Sequence, residues 1–137
     1  MIKILFRQMS TTQIISAMTT TLCLLIDSIV IGRLVGVDAK TAMLIGLCVE
    51  EMTVNIIEHG FTKDKLSHNV DVRLVLVEDK RIIRIRDNCV NFDPTNYLEL
   101  HQSSDPTAHI GLRMVMAMVK EANYVNTLGL NNLTLIL

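Results

Sequence analysis

The sequence has few prolines, no paired cysteine motif and almost no net charge, and each shortage excludes a class of protein. Two prolines in 137 residues, with 50% hydrophobic and 20% charged side chains, indicate one compact domain rather than a disordered chain. The formal net charge of -1 gives no long-range attraction to nucleic acid, so we expect no nucleic-acid partner. Cys23, Cys48 and Cys89 are odd in number and widely spaced, which argues against a disulfide framework or structural zinc site and favours a cytoplasmic location.

Charged residues are nearly absent from the N-terminal segment, which we define as residues 1–38. Within residues 8–36 the only charged side chains are Asp27 and Arg33, and the run IISAMTTTLCLLI is typical of a membrane-inserted helix. Asp27 is costly inside a bilayer unless it faces protein or water. Two interpretations therefore stay open: residues 8–36 anchor the chain to the inner face of the cell membrane, or they form a buried helix of a soluble domain.

The remaining residues, 39–137, have the mixed periodicities of a domain with helices and strands. A strongly apolar helix is predicted to end at Gly60 in a left-handed cap. Residues 70–87 alternate apolar and polar side chains around the turn EDK, which predicts an antiparallel hairpin. Residues 88–109 contain both prolines and exceed ordinary connections in length, so we interpret this loop as functional. The predicted elements are helices over 40–59 and 112–122 and strands over 70–77, 81–87 and 133–137.

Three polar residues, Glu51, Asn55 and His59, follow one another at steps of four within the apolar helix. That spacing places them on one helix face. A carboxylate among apolar side chains loses hydration, at a cost of roughly several kcal/mol unless a partner compensates. A carboxylate that accepts a proton and an amide oxygen that binds Mg²⁺ are groups that phosphoryl transfer uses. The alternative is a polar network in the core, satisfied by neighbouring side chains.

Two further positions carry groups suited to a nucleotide. Asp87 ends the second strand of the hairpin, where its carboxylate can accept a hydrogen bond from an exocyclic amine such as that of adenine, or can stabilise the following turn. Gly111 opens a helix, and because it lacks a Cβ it permits close approach of a ligand to the backbone. The amides at a helix N-terminus favour a phosphate. Each of these positions is weak evidence for a nucleotide site when taken alone, and the order in which they occur along the chain is the stronger evidence.

In this order, the stretches EEMTVNIIEHG, DNCVNFDP and HIGLRMV resemble the N, G1 and G2 boxes of the GHKL, or Bergerat-fold, ATPases. The resemblance covers about residues 40–137 and is closest to the anti-sigma-factor serine kinases. It implies an α+β fold, a two-layer α/β sandwich whose mixed, mostly antiparallel sheet has helices on one face, preceded here by the N-terminal hydrophobic helix. It also implies that ATP and Mg²⁺ bind between helix, sheet and the loop 88–109, which acts as a lid.

By this resemblance Glu51 is the general base, Asn55 the Mg²⁺ ligand and Asp87 the carboxylate that recognises adenine. Further nucleotide contacts are implied at Cys89, Phe92, His109, Gly111, Leu112 and Thr134. The boxes depart from the family pattern at two positions, because Cys89 stands where a glycine is usual and His109 replaces the first glycine of the G2 box. Both side chains add bulk where the backbone approaches the nucleotide, which keeps binding without catalysis open as an alternative.

The stretch STTQIISAMTTTLCLLIDSIVIGRLVGVDA is similar to the first transmembrane helix of MATE-type multidrug exporters and covers about a quarter of the chain. One such helix cannot make a transporter, since transport pathways lie between many helices. The resemblance leaves two roles open. The helix anchors the ATPase domain to a membrane, or it packs in place of the first helix of the ATPase fold.

Together the resemblances imply a regulatory domain that binds ATP and Mg²⁺ and acts as a serine/threonine protein kinase of the anti-sigma-factor type. Its protein partner is then a sigma factor or an anti-sigma antagonist, and a homodimer and membrane association are also expected. One alternative is a nucleotide-binding interaction module without catalysis. Another is the ATPase-domain fragment of a MATE-type exporter fusion.

Overall fold

The computed structural model forms one antiparallel sheet with helices packed on it. It describes residues 4–6, 29–30, 32–61, 67–100, 105 and 108–137. The strands are β1 (Ile4–Phe6), β2 (Val70–Val77), β3 (Lys80–Asp87), β4 (Glu121–Thr127) and β5 (Leu130–Ile136). The helices are α1 (Ala39–Asn55), which continues into a π-helical turn (Ile56–Gly60), α2 (Pro94–Leu100) and α3 (Ile110–Met118). Residues 29–30 and 32–35 are also helical.

The five strands follow the order β1-β2-β3-β5-β4, and every pairing is antiparallel. The predicted α+β class and the hairpin are confirmed, since Val70 pairs with Asp87 and Val77 with Lys80 across β2 and β3. The parallel pairing expected of a mixed sheet does not occur among the described strands. β4, at the edge of the sheet, pairs only with β5 there.

The core lies between one face of the sheet and the helices. Val72, Leu74, Ile83, Ile85, Leu133 and Leu135 alternate along β2, β3 and β5 and are buried, as residues on one face of a strand must be. Helix α1 covers them with side chains at steps of three and four: Ala42, Ile45, Cys48 and Met52. Each fully buried aliphatic side chain here stabilises the fold by about 2 kcal/mol. The two-layer arrangement follows from these two apolar faces.

The start of α1 is set by Asp38, whose carboxylate accepts hydrogen bonds from the Thr41 amide at 3.0 Å and the Thr41 hydroxyl at 2.6 Å. Helix α2 starts in the same way inside the long loop 88–109. Asp93 Oδ1 accepts from the Thr95 amide at 2.9 Å, and Pro94 occupies the first helical position, where its missing N–H costs nothing.

Two predicted element ends are wrong. Gly60 does not have the positive φ of a left-handed cap; it ends the π-helical turn that follows α1. The predicted helix over 112–122 stops at Met118, and the chain then enters β4, which the sequence analysis did not predict. Because β4 exposes most of its side chains, its alternation is limited to Ala122 and Tyr124 and is too short to reveal a half-buried strand.

The described parts of residues 1–38 pack with the rest of the chain. β1 adds to the sheet beside β2, and Val35 joins the core cluster with 8% of its surface exposed. Residues 7–28 lie outside the described residues, so the predicted N-terminal hydrophobic helix and its resemblance to an exporter helix stay predictions. Within the part of the chain that the structure describes, no helix is both long and apolar enough to cross a membrane.

Candidate functional site

The base end of the candidate site lies at the end of β3, and we define it as Asp87 and the residues that surround its carboxylate in the structure. Asp87 is buried, with 5% of its surface exposed, although it carries a carboxylate. Its Oδ1 accepts hydrogen bonds from Asn131 Nδ2 at 2.7 Å and from the Cys89 amide at 2.9 Å. The pairing of β3 with β5 sets Asn131 opposite Asp87. The strand register therefore supplies the partner that a buried carboxylate needs.

A small pocket of about 20 Å³, open to solvent, lies beside Asp87. Its lining is mostly apolar with a few polar groups, as a purine base requires: Met52, Ile56, Gly60, Asp87, Val90, Phe92, Pro94, Tyr124, Asn131 and Leu133. Two predicted site residues, Asp87 and Phe92, are in this lining, and Phe92 also contacts the Tyr97 ring at a centroid distance of 5.0 Å.

Cys89 stands beside the pocket rather than in its lining, and Gly60 makes room for it. A Cβ built on Gly60 would lie 3.0 Å from the Cys89 Cβ, closer than ordinary van der Waals contact. The glycine at position 60 thus accommodates the side chain that Cys89 adds in place of the usual glycine. Burial, and secondarily the charge of Asp87, raise the pKa of the Cys89 thiol to about 12, so the thiol stays neutral at physiological pH.

The phosphate end of the candidate site, which we define as Glu51, Asn55 and the start of α3, joins two separate helices. Glu51 and Gly111 are in direct contact, because a Cβ built on Gly111 would overlap with Glu51 Oε2. A side chain at position 111 would therefore displace the Glu51 carboxylate from this place. Burial raises the pKa of Glu51, and the nearby charge of Glu58 raises it further. A raised pKa suits a carboxylate that must accept a proton near neutral pH.

Asn55 lies one helical turn after Glu51 and is half-buried. Its Nδ2 donates to the Glu51 carbonyl at 2.7 Å, and the amide oxygen accepts no hydrogen bond from the residues that the structure describes. Oxygen ligands of this kind suit Mg²⁺, which commonly takes one or two protein oxygens together with phosphate oxygens. No group of three or more carboxylate, histidine or cysteine side chains that could hold a metal by itself occurs among the described residues. The residues fit a cation shared with a nucleotide.

His109 precedes α3 with φ 54°, in the left-handed region. This conformation, in which glycine has no steric penalty, explains why a glycine is usual at the position. The exposed imidazole leans edge-on against Tyr97, with ring centroids 5.0 Å apart. Leu112 faces the core instead, with 3% of its surface exposed, so it supports the site by packing under Gly111.

Two predicted positions do not join the site. Thr134 pairs with Arg84 and Asn123, which are exposed, so it lies on the sheet face opposite the pocket. The buried face of β5 carries odd-numbered residues, so Thr134 lies apart from the pocket lining, and the nucleotide contact predicted for it stays a prediction. His59 is exposed in the π-helical turn, which breaks the predicted stripe of polar residues after Asn55.

The sequence analysis missed Asn131 and Tyr124, which complete the base end. Asn131 is a polar residue in the otherwise apolar inward series of β5, which is a signal that the sequence contains. Tyr124 lies on β4 and gave no such signal. The two ends of the site meet on α1, since Met52 lines the pocket and Glu51, one residue earlier, touches Gly111. The structure thus brings together all three boxes.

Comparisons with known proteins agree with this arrangement. A model of the histidine kinase-like ATPase domain family matches residues 17–137. The serine/threonine-protein kinase BtrW from Bordetella bronchiseptica is 33% identical over 105 residues, which cover 72% of this chain and 71% of that protein.

Two solved structures share the fold. The histidine kinase domain of the blue-light activated histidine kinase from Erythrobacter litoralis EL346 superposes with a TM-score of 0.57 at 21% identity and covers 74% of this chain. A structure of that kinase superposes with a TM-score of 0.55 at 22% identity. The matched region is 48% of the first solved chain and 31% of the second. The family match covers most of the sequence, and the chain belongs to the histidine kinase-like ATPase domain family.

Proposed function

We propose that the chain binds ATP together with Mg²⁺ and transfers the terminal phosphate to a serine or threonine of a protein partner. Membership of a histidine kinase-like ATPase family supports ATP as the nucleotide. The relative from Bordetella, which is named a serine/threonine-protein kinase, supports a protein hydroxyl as the acceptor. The observation that carries the proposal is that one helix, α1, joins the Asp87 pocket to the contact between Glu51 and Gly111.

In this proposal each residue has a defined part. Asp87 accepts a hydrogen bond from the exocyclic amine of adenine, and the apolar lining of the pocket holds the ring. The start of α3 faces the phosphates with its N-terminal amides. The Asn55 amide oxygen binds Mg²⁺, which when present neutralises charge on the phosphate oxygens.

Glu51 takes the proton from the acceptor hydroxyl as its oxygen attacks the γ-phosphorus. The bond from the γ-phosphorus to the bridging oxygen breaks, and ADP leaves with that oxygen.

Binding without transfer is the competing function, because Cys89 and His109 replace glycines of the family boxes. Two observations favour transfer over this alternative. Gly60 leaves room for the Cys89 side chain, so its bulk does not fill the pocket. The backbone at His109 keeps the left-handed conformation that glycine would adopt. Both substitutions are accommodated locally, and the contact between Glu51 and Gly111 is retained.

The experiment incubates the chain and Mg²⁺ with ATP radiolabelled on the γ-phosphate and a candidate anti-sigma antagonist or sigma factor. We expect label on a serine or threonine of the partner, and none on a partner whose acceptor is changed to alanine. Nucleotide binding without label on any candidate supports the module instead. The predicted homodimer, the membrane anchor at residues 8–36 and the exporter fusion stay predictions, which the size of the complex and its partition into detergent would test.

A further inference from the structure

Asn131 is the most completely hydrogen-bonded side chain at the base end, and its orientation is fixed. Its Oδ1 accepts from the Tyr124 hydroxyl at 2.7 Å and from Asn126 Nδ2 at 2.8 Å. Its Nδ2 donates to Asp87 Oδ1 at 2.7 Å and to the Cys89 carbonyl at 3.2 Å. An amide turned by 180° would set its oxygen against the Asp87 carboxylate and the Cys89 carbonyl, which both accept hydrogen bonds only, so these two acceptors fix the orientation.

This fixed amide determines how the Asp87 carboxylate is turned. The Asn131 amide and the Cys89 backbone N–H both donate to Oδ1. Oδ2 is therefore the oxygen with more remaining capacity to accept a hydrogen bond. Asp87 lines the pocket and is 5% exposed, so a group that hydrogen-bonds Oδ2 replaces little water and interacts strongly.

Tyr124 holds this arrangement from the neighbouring strand. Its hydroxyl, which has one proton and donates to Asn131, also contacts the Asn91 amide in the turn after β3. One phenol therefore ties the edge strand β4 to the turn that follows Asp87 and to the amide that orients Asp87.

We propose that Asn131, held by Tyr124, is a positioning residue for base specificity: it turns Asp87 so that the site accepts an exocyclic amine and rejects a carbonyl at the same place on the purine. The inference rests on the proposed function, since it concerns the nucleotide of the same pocket. Adenine offers an N–H donor to Asp87. Inosine triphosphate carries a carbonyl oxygen at the same position of the purine. This oxygen and the Asp87 carboxylate oxygen are both acceptors, so no hydrogen bond forms between them.

The test measures the ratio of the Kd for inosine triphosphate to the Kd for ATP by calorimetry. The full chain, Asn131→Ser, Tyr124→Phe and the control Asn132→Ser are compared. Asn132 is the same residue type at the next position but faces the open side of the sheet, where it accepts from Arg86 Nε at 2.9 Å. We expect a ratio of about tenfold or more for the parent and the control. Asn131→Ser should lower the ratio to about twofold, and Tyr124→Phe should give an intermediate value.

The ratio separates positioning from a merely structural role, because a looser pocket weakens both nucleotides alike. The inference is overturned if the parent binds ATP no more tightly than inosine triphosphate, or if the ratio of the two Kd values is unchanged in both variants. Neither outcome contradicts the proposed function. A parent that binds neither nucleotide refutes the proposed function itself. If Asn131→Ser does not fold, Tyr124→Phe decides: a lower ratio supports the inference and an unchanged ratio rejects it.

Discussion

The two ends of the site are built on different principles. The base end is a buried network in which the carboxylate of Asp87, the amide of Asn131 and the hydroxyl of Tyr124 satisfy one another. At the phosphate end a partly buried carboxylate, Glu51, packs against a glycine and has a raised pKa. The first arrangement is rigid and suits recognition, whereas the second holds a group ready to accept a proton. Binding and transfer are therefore expected to be separable by mutation.

The largest expected effect is on transfer. Glu51→Gln keeps the shape that packs against Gly111 but removes the proton acceptor. Its rate of phosphate transfer should fall by about 100-fold or more, the usual contribution of a general base, with ATP affinity nearly unchanged. Transfer is measured with radiolabelled ATP and affinity by calorimetry, and Glu58→Gln is the matched control. Full transfer activity in Glu51→Gln would remove Glu51 from the mechanism.

The contact between the two helices at the phosphate end gives the second prediction. Gly111→Ala puts a methyl group where the Glu51 carboxylate lies, and because this end of a flexible side chain can turn aside, the free energy of unfolding should fall by less than the ~1–3 kcal/mol of overpacking in a core. In a Glu51→Ala background the same change should become neutral or stabilising, because space is free and alanine favours a helix over glycine by about 1 kcal/mol. Urea unfolding of the four proteins measures the coupling. Additive effects would show that the two residues do not touch.

The raised pKa of Glu51 predicts a pH dependence at this end. The folded chain holds the Glu51 proton more tightly than the unfolded chain does, so ionisation of Glu51 disfavours folding. Protonated Glu51 stabilises the fold at pH values below the ordinary glutamate pKa. This stabilisation is lost as the pH rises through the higher pKa that Glu51 has in the folded chain. The free energy of unfolding of Glu51→Gln, relative to the parent, should therefore increase as the pH rises above the ordinary glutamate pKa of about 4.

Urea titrations across this pH range test the prediction. Glu58→Gln should reduce the pH dependence in part, since the charge of Glu58 is the secondary cause of the shift. A difference between parent and Glu51→Gln that stays constant with pH would show that the carboxyl group is not perturbed.

The smallest effect is expected on the outer face of the sheet. Thr134→Val replaces a residue turned away from the pocket, so ATP affinity should change by less than about twofold. Asn131→Ser on the same strand weakens the orientation of Asp87 and should change affinity more. Calorimetric titration of both variants compares the two faces of β5 directly. A large loss of affinity in Thr134→Val would place the nucleotide on the other side of the sheet.

The features that the sequence could predict are those that depend on residues close together along the chain. The hairpin β2–β3 follows from alternation along a short stretch, and Glu51, Asp87 and Gly111 follow from the order of three motifs. These are local signals. The pairing of Asn131 with Asp87 joins residues 44 positions apart, and it depends on the register between β3 and β5. A change of one residue in this register reverses which face a side chain of β5 occupies, so the sequence alone does not fix which of its residues face the pocket.

Elements without strong burial were the hardest to predict. β4 exposes most of its side chains at the edge of the sheet, and in the stretch EANYVNT only Ala122 and Tyr124 alternate with exposed residues, which is too short a pattern to predict a strand. The π-helical turn after Asn55 leaves no clear mark in the apolar pattern of α1, although it removes His59 from the polar stripe. A glycine is needed at position 60, but not for the predicted left-handed cap. A side chain there would crowd Cys89, a residue distant in sequence.

The central claim is that a nucleotide binds with its base against Asp87. Calorimetric titration of ATP with Mg²⁺ into the parent, Asp87→Asn and Asp71→Asn tests it most directly. Asp71 is an aspartate on β2 that pairs with Arg73 at 2.9 Å, outside the pocket. Asp87→Asn should weaken ATP binding by about tenfold or more, as expected for loss of a charged hydrogen-bond acceptor, while Asp71→Asn binds like the parent. Equal affinity of Asp87→Asn and the parent would contradict the claim.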